Sequence, residues 1–366
     1  MPVSPDHQHA NGEIDIASLH AQDSTGLLAR IDRAVVWDIP LTTPFRGITR
    51  RDGVLLHGPG GWGEVAPFWD YGLEASAPWL ASGLCQALGN SLLPRYRETI
   101  SVNVTVPEIG AQDASDLVRA SGARTAKVKV SGSSSKRSAD LERLEAVRSV
   151  LGRSGKVRID VNGAWDLDTA RENLPLMDRA AGGLEYAEQP CATVYDLADL
   201  RRAVDVPIAA DESIRLSANP LEIVHRRAAD VAILKVAPLG GVHRAMDMAE
   251  RLGLPTVVSS ALDTSVGIMA GATLAFSLPS LNHACGLGTT YLLTQDVADP
   301  SVRPSNGTLR LDAAAPVSER LLDEVKAGPY LTKHWQTRLL HLAGALHARR
   351  QREARDPSRA VAGLPL

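Results

Sequence analysis

The chain has 366 residues, 44% of them hydrophobic and 22% charged, with a formal net charge of −3. That length allows a large core and two domains, and the near-neutral balance argues against nucleic acid or an anionic membrane as the main partner. Cys85, Cys191 and Cys285 fall at no disulfide or metal-ligand spacing, and no apolar run is long enough to span a bilayer. The polar start MPVSPDHQHANGEID lacks the order of a signal peptide, so the expected location is the cytoplasm.

In chain order, residues 1–26 are rich in His, Asp, Asn and Ser and read as a poorly ordered extension. Residues 27–99, together with the C-terminal segment, read as a small α+β domain. IDRAVVWDIPL and DGVLLHG are strand-like, GPGGWGE is a hairpin turn, and LEASAPWLASGLCQALGN is helical. The Gly-rich turn lacks the trailing Lys-Ser/Thr of a phosphate loop. From residue 100 to 315 strand-like and helix-like stretches alternate: TAKVKV before SADLERLEAVRSVLG, KVRIDVNG before DTARENLPLMDRA, LEYAEQP before VYDLADLRRAV, VAILKVAP before GVHRAMDMAERLG. Such alternation over about 200 residues predicts an α/β architecture closed into a (β/α) barrel. GSSSKRS is a polar surface loop. Residues 316–366 form a C-terminal segment and basic tail, predicted as a solvated helix with a disordered end.

Barrel enzymes carry their chemistry at the carboxyl ends of the strands. There the sequence offers Lys127 and Lys129, Asp160 and Asn162, Glu188, Asp211 and Glu212, and Lys235, each in an otherwise apolar stretch. One such charge is most simply a salt bridge, but five consecutive strand ends are not, because buried charge is costly unless paired or metal-bound. Asp160, Glu188 and Asp211, one strand-plus-helix apart, would converge on a hard cation, Mg²⁺ or Mn²⁺ rather than Zn²⁺. Asn162 and Glu212 would line the wall around them. If the strand stays extended, Glu212 faces away from Asp211, so only Asp211 is a ligand. Lys127 and Lys129, two apart, share one strand face, and their mutual repulsion lowers at least one pKa toward that of a base. Lys235, on a later strand, falls on the opposite wall. A carboxylate substrate between two lysines, on a dication, suits removal of a proton from the carbon beside that carboxylate.

The strings FRGIT, TAKVKV, RIDVNGAW, LEYAEQPCATV, PIAADESIR, LKVAPLGG, VVSSALDTSVG and HACGLGT resemble the enolase superfamily, and within it the actinobacterial type of o-succinylbenzoate synthase family. The resemblance implies a (β/α) barrel capped by the α+β domain, with a small-molecule carboxylate substrate, 2-succinyl-6-hydroxy-2,4-cyclohexadiene-1-carboxylate, dehydrated for menaquinone synthesis. It implies Lys129 as the base, Lys235 as its opposing cation, Lys127 in support, and Mg²⁺ on Asp160, Glu188 and Asp211. Ser259, Ser260 and Ala261, with Gly286, Leu287 and Gly288, would lie near the succinyl tail, and Arg46 would meet its carboxylate. His283 and Cys285 are expected to be structural. The broader motifs are equally compatible with N-acylamino-acid racemases and dipeptide epimerases. A non-catalytic scaffold is disfavoured by the intact set of costly charges. The sequence is silent on oligomeric partners.

Overall fold

The computed structural model describes residues 12–310 and 316–355; what was expected of residues 1–11, 311–315 and 356–366 lies outside the described residues. The chain opens with helix α1 (Ile16–Gln22), strands β1 (Arg33–Phe45), β2 (Ile48–Gly58) and β3 (Gly61–Val65), and helix α2 (Leu73–Ala87). It continues with β4 (Thr99–Ser101), β5 (Val104–Val106), α3 (Ala111–Ser121), β6 (Thr125–Lys129), α4 (Arg137–Leu151), β7 (Lys156–Asp160), α5 (Leu167–Ala180), β8 (Tyr186–Glu188) and α6 (Val194–Ala203). Then come β9 (Ile208–Ala210), two short helices α7 (Glu212–Arg215) and α8 (Glu222–His225), β10 (Val231–Lys235), α9 (Val236–Leu239), α10 (Val242–Leu252), β11 (Thr256–Ser259), α11 (Ser265–Ser277) and β12 (Thr308–Arg310). Helices α12 (Glu319–Val325) and α13 (Pro329–Arg355) end the described chain.

Strands β5 to β11 form one parallel sheet in simple sequential order. Its two edges meet through residues 284–286: Gly286 bridges to Ser259 and Cys285 to Val102, both parallel. Gly286 N donates to Val258 O at 2.8 Å and Cys285 N to Ser101 O at 2.7 Å. This short eighth segment closes the ring, so the predicted barrel is realised. The helices start and stop on local chemistry. Asp166 caps α5 by accepting from Thr169 N, Thr264 caps α11, and Gly122 and Gly253 end α3 and α10 in the left-handed region.

The small domain is a β1–β2–β3 antiparallel sheet covered by α2 and α13. GPGGWGE makes the β2–β3 turn as expected. Gly60 is required there because a Cβ would fall 2.0 Å from Gly89 N. Two expectations for the chain ends are corrected. Residues 12–26 are not loose. Asp15 caps α1 by accepting from Ala17 N and Ser18 N, and Leu19 is fully buried. Nor is α13 merely a solvated helix. Trp335, Leu339, Leu342, Ala343 and Leu346 repeat at helical spacing and are buried in the small-domain core. Each large apolar side chain so buried contributes roughly 1.5–3 kcal/mol. Among the described residues, no helix is long and apolar enough to cross a membrane.

Candidate active site

Strand register brings the charges to one end of the barrel. Lys129 lies beside Asp160, Asp160 beside Glu188, and Glu188 beside Ala209, two residues before Asp211. The preceding interior layer holds Lys127, Arg158 and Tyr186, again neighbours in register. Lys127 Nζ sits between two acids, 2.6 Å from Glu188 Oε1 and 2.8 Å from Asp160 Oδ2. Lys129 Nζ donates to Asp160 Oδ2 and to Asn162 Oδ1, each at 2.6 Å. Lys235 Nζ donates to Asp211 Oδ2 at 2.6 Å. In ring order β6 and β10 stand four places apart among eight segments, so Lys129 and Lys235 rise from opposite walls.

This environment separates the two neighbouring lysines. Burial opposes the charge on Lys127, but Asp160 and Glu188 outweigh it and hold the group well above the usual lysine range. For Lys129 burial wins: Asp160 opposes it, but the Lys127 cation reinforces it, and the amine falls below its ordinary value. The aromatic face of Phe45, its centroid 5.4 Å from Nζ, makes a cation–π contact that works in the opposite direction. The acids divide too. Asp160 is held far below the usual carboxylate range by Lys127 and Lys129 despite its burial. Glu188 is pushed up to about 7 by burial and then by the charge of Asp160. Asp211 is lowered to about 2, because Arg215 and Lys235 overcome its burial.

Among the described residues, no group of three or more His, Cys, Asp or Glu is gathered closely enough to hold a metal ion. The expected three-acid cage is therefore not preformed: ammonium groups stand where a cation would be shared. The donors themselves still suit a hard dication. All three are carboxylates on successive strand ends, they are almost wholly buried, and Glu188 Oε2 has no hydrogen-bond partner.

One cavity is lined by Lys127, Lys129, Asp160, Asn162, Lys235, Ser259, Ser260, Ala261, Gly286 and Arg46, uniting most of the residues singled out from the sequence. Glu188 and Asp211 lie beneath it, reached through the lysines. Arg46, at φ 53°, stacks on Phe68 and Tyr71 and pairs with Asp70 at 3.3 Å. Asn162, also left-handed at φ 52°, donates from Nδ2 to Glu212 Oε1 at 3.2 Å.

Three expectations are corrected. Strand β9 ends at Ala210, and Asp211 opens a helical turn, so Asp211 and Glu212 do not face opposite ways. Both accept from Arg215, at 2.9 and 2.6 Å. Leu287 is fully buried and packs toward Gly271 on α11, because the residue next to Gly286 points out of the barrel. Gly288 faces a separate, mostly apolar pocket with Val102, Ile109 and Leu117. Neither His283 nor Cys285, both expected to be structural, lines the cavity. His283 Nδ1 lies 3.0 Å from Glu185 Oε1, and burial pushes the Cys285 thiol up to about 11.

Sequence reasoning missed Arg215, Tyr71, Phe45, Phe68 and Thr289 in the cavity wall. It also missed the seam between the domains. Glu64 of β3 accepts from Thr264 N and Gly267 N at the start of α11, at 3.2 and 3.1 Å. Burial and the neighbouring Asp263 push Glu64 up to about 8. Arg51, wholly buried, donates to the carbonyls of Ala66 and Leu262, tying the cavity-wall loop to the small domain.

Residues 36–87 match the enolase N-terminal domain-like family and residues 110–316 the enolase C-terminal domain-like family. The chain is 51% identical over 305 residues to o-succinylbenzoate synthase of Thermobifida fusca (strain YX), covering 82% of this chain and 93% of that relative. It is 46% identical over 310 residues to o-succinylbenzoate synthase of Mycobacterium ulcerans, covering 84% and 93%. In fold it is similar to a dipeptide epimerase from Cytophaga hutchinsonii, solved in complex with Mg and dipeptide D-Ala-L-Val. The TM-score is 0.65 and the identity 22%, with 81% and 98% of the two chains covered. Two domain matches in the expected order, and identity near one half over more than four-fifths of its length, make this chain a member of the o-succinylbenzoate synthase family of the enolase superfamily.

Proposed function

We propose that this protein dehydrates 2-succinyl-6-hydroxy-2,4-cyclohexadiene-1-carboxylate to 2-succinylbenzoate, a step of menaquinone synthesis. The observation that carries the reading is Lys129, an amine whose charge is disfavoured and which faces Lys235 across one cavity. The neutral Lys129 amine takes the proton from the carbon beside the ring carboxylate. The electron pair spreads onto the carboxylate oxygens as an enediolate, and the ammonium groups of Lys235 and Lys127 stabilise that charge. Collapse of the pair into the ring expels hydroxide from the neighbouring carbon. Lys129 returns its proton to that hydroxide, so water leaves and the amine is regenerated. Asp160, Glu188 and Asp211 would hold Mg²⁺, which when bound supplies positive charge to the substrate carboxylate. Asn162 and Glu212 orient these groups from the wall. Arg46, and the small residues Ser259 to Ala261 and Gly286, accommodate the succinyl arm. A soluble carboxylate substrate and free thiols at Cys85, Cys191 and Cys285 support a cytoplasmic location.

A second reading has one observation in its favour. Lysines on opposite walls are also what a two-base racemase needs. Incubation with the cyclohexadiene carboxylate and, separately, with N-succinyl amino acids separates the two by absorbance loss and optical rotation. Dehydration is expected to dominate, and racemization much faster than dehydration would reject the assignment. Lys129→Ala is expected to abolish turnover with an unchanged circular-dichroism spectrum; near-normal turnover would remove Lys129 as the base.

A further inference from the structure

The cavity over the lysines measures only about 50 Å³ in this conformation. Pockets that enclose small organic ligands begin at about 300 Å³. Something must therefore move before a substrate enters, and the wall names the candidates. Tyr71 lines both this cavity and a groove on the outer surface, so it stands between the site and solvent. Its loop is anchored at the base, where Arg338 donates to the carbonyls of Pro67 and Phe68 at 3.1 and 2.7 Å. At the tip, Arg215 Nη1 donates to the Tyr71 hydroxyl oxygen at 2.6 Å.

Arg215 is the unusual partner in this arrangement. Its side chain is 5% exposed, and each of its three nitrogens serves a different group: Nε on Asp211 Oδ1, Nη2 on Glu212 Oε1, and Nη1 on Tyr71. Holding Oδ1 leaves Asp211 with Oδ2 directed at Lys235. The Tyr71 hydroxyl is one of three anchors that fix the plane of this guanidinium, so its loss frees Nη1 and relaxes the hold of the fork on Asp211 Oδ1. Release of Tyr71 therefore loosens the grip on Asp211, and a fixed Asp211 favours a closed tip.

We infer that Arg215 is a positioning residue that latches the capping-domain loop at Tyr71 to Asp211 and Glu212, so that opening of the site and orientation of Asp211 change together. This rests on the reading of Asp211 as a metal-holding carboxylate. Neither Arg215 nor Tyr71 need touch reacting atoms for the coupling to operate.

Tyr71→Phe removes a single hydroxyl and keeps the ring that packs beside Phe68 and Arg46. Arg215→Lys keeps the positive charge and loses the three-way fork. Hydrogen exchange of the full-length protein is expected to quicken in residues 68–73 and also in residues 211–216 for both variants. Calorimetric titration is expected to show Mg²⁺ binding weakened roughly tenfold in Tyr71→Phe, although Tyr71 touches none of the three acids. The rise should fall on KM more than on kcat, because entry and closure are affected and the lysines are not. Faster exchange confined to residues 68–73, with Mg²⁺ affinity unchanged within about twofold, would overturn the coupling. If the parent protein binds no Mg²⁺, the metal reading fails by itself, and the latch is decided by exchange alone: both segments must respond to Tyr71→Phe, or it is wrong.

Discussion

Lys127→Met tests the charge arrangement most directly. Lys127 Nζ lies 2.6 Å from Glu188 and 2.8 Å from Asp160, and both acids are 1% exposed. Methionine has similar length and no charge, so the substitution leaves packing nearly intact and strands the buried Glu188 carboxylate, while Asp160 keeps Lys129 at 2.6 Å. Removing one partner of a buried pair typically costs roughly 3–5 kcal/mol. For a chain of this size about 2 °C per kcal/mol applies, so the melting temperature should fall by roughly 6–10 °C. The loss depends on pH. Glu188 already stands at about 7, above its ordinary 4.5, and without Lys127 it rises further. A carboxyl raised in the folded state is protonated there at low pH, and its destabilisation grows as pH climbs through the folded value. The variant should therefore be closest to the parent near pH 5 and furthest from it near pH 8. If the three acids hold a dication, saturating Mg²⁺ replaces the missing ammonium and restores most of the loss. Differential scanning calorimetry with and without Mg²⁺, at pH 5 and 8, reads all of this. A shift below about 2 °C at pH 8, or a variant that Mg²⁺ stabilises no more than the parent, would refute the reasoning.

The seam carboxyl gives a second pH prediction. Glu64 is raised from 4.5 to about 8, so its favourable contribution is complete below pH 4.5 and is lost as pH rises to about 8. Glu64→Gln has no such dependence and should gain roughly 2–4 kcal/mol relative to the parent between pH 5 and pH 8 in urea melts; a difference constant with pH contradicts it. Mg²⁺ and the dicarboxylate product, 2-succinylbenzoate, should each raise the other's affinity by about fivefold or more in calorimetry, and independent binding would refute that coupling.

Charge in an apolar context made the barrel mouth legible. TAKVKV, RIDVNG, EYAEQP, AADES and AILKVA each place an expensive side chain at the end of a strand, and the alternating pattern tells which side of the sheet it takes. Arg158 broke the same rule and was passed over. It sits two residues before Asp160, is fully buried, and donates to Asn103 Oδ1 and Ala284 O. Its signal was present in KVRID, but position within the strand, not composition, sends it to the floor of the barrel. Arg215 was hidden for another reason. Its link to Asp211 is an i,i+4 contact, which exists only because β9 stops and a helical turn begins at once. Tyr71 carried no local signal, since its role depends on how a small-domain loop reaches the barrel. The burial of α13 was written in Trp335, Leu339, Leu342 and Leu346, but the surrounding arginines diluted it. Leu287 and Gly288 show the limit of carrying a run of residues together: one step along an extended backbone reverses the direction of the side chain.

The charges at the mouth explain why the site should take metal and substrate as a pair. Lys127, Lys129, Lys235 and Arg215 face Asp160, Glu188, Asp211 and Glu212, so four formal positive charges meet four negative ones. On formal charges the site balances, which lowers the cost of burying so many ions together. A dication entering alone leaves an excess of two positive charges, and it competes with ammonium groups already on the acids. A dicarboxylate entering alone leaves the opposite excess. Together they restore neutrality, and each removes the electrostatic penalty of the other. The group that yields most readily to an added positive charge is Lys129, whose proton is already the least tightly held of the neighbouring pair. Loading the site thus favours the free amine that proton abstraction needs. The same lysines that hold the unliganded barrel together by ion pairing become base and electrostatic support once their carboxylate partners are engaged elsewhere.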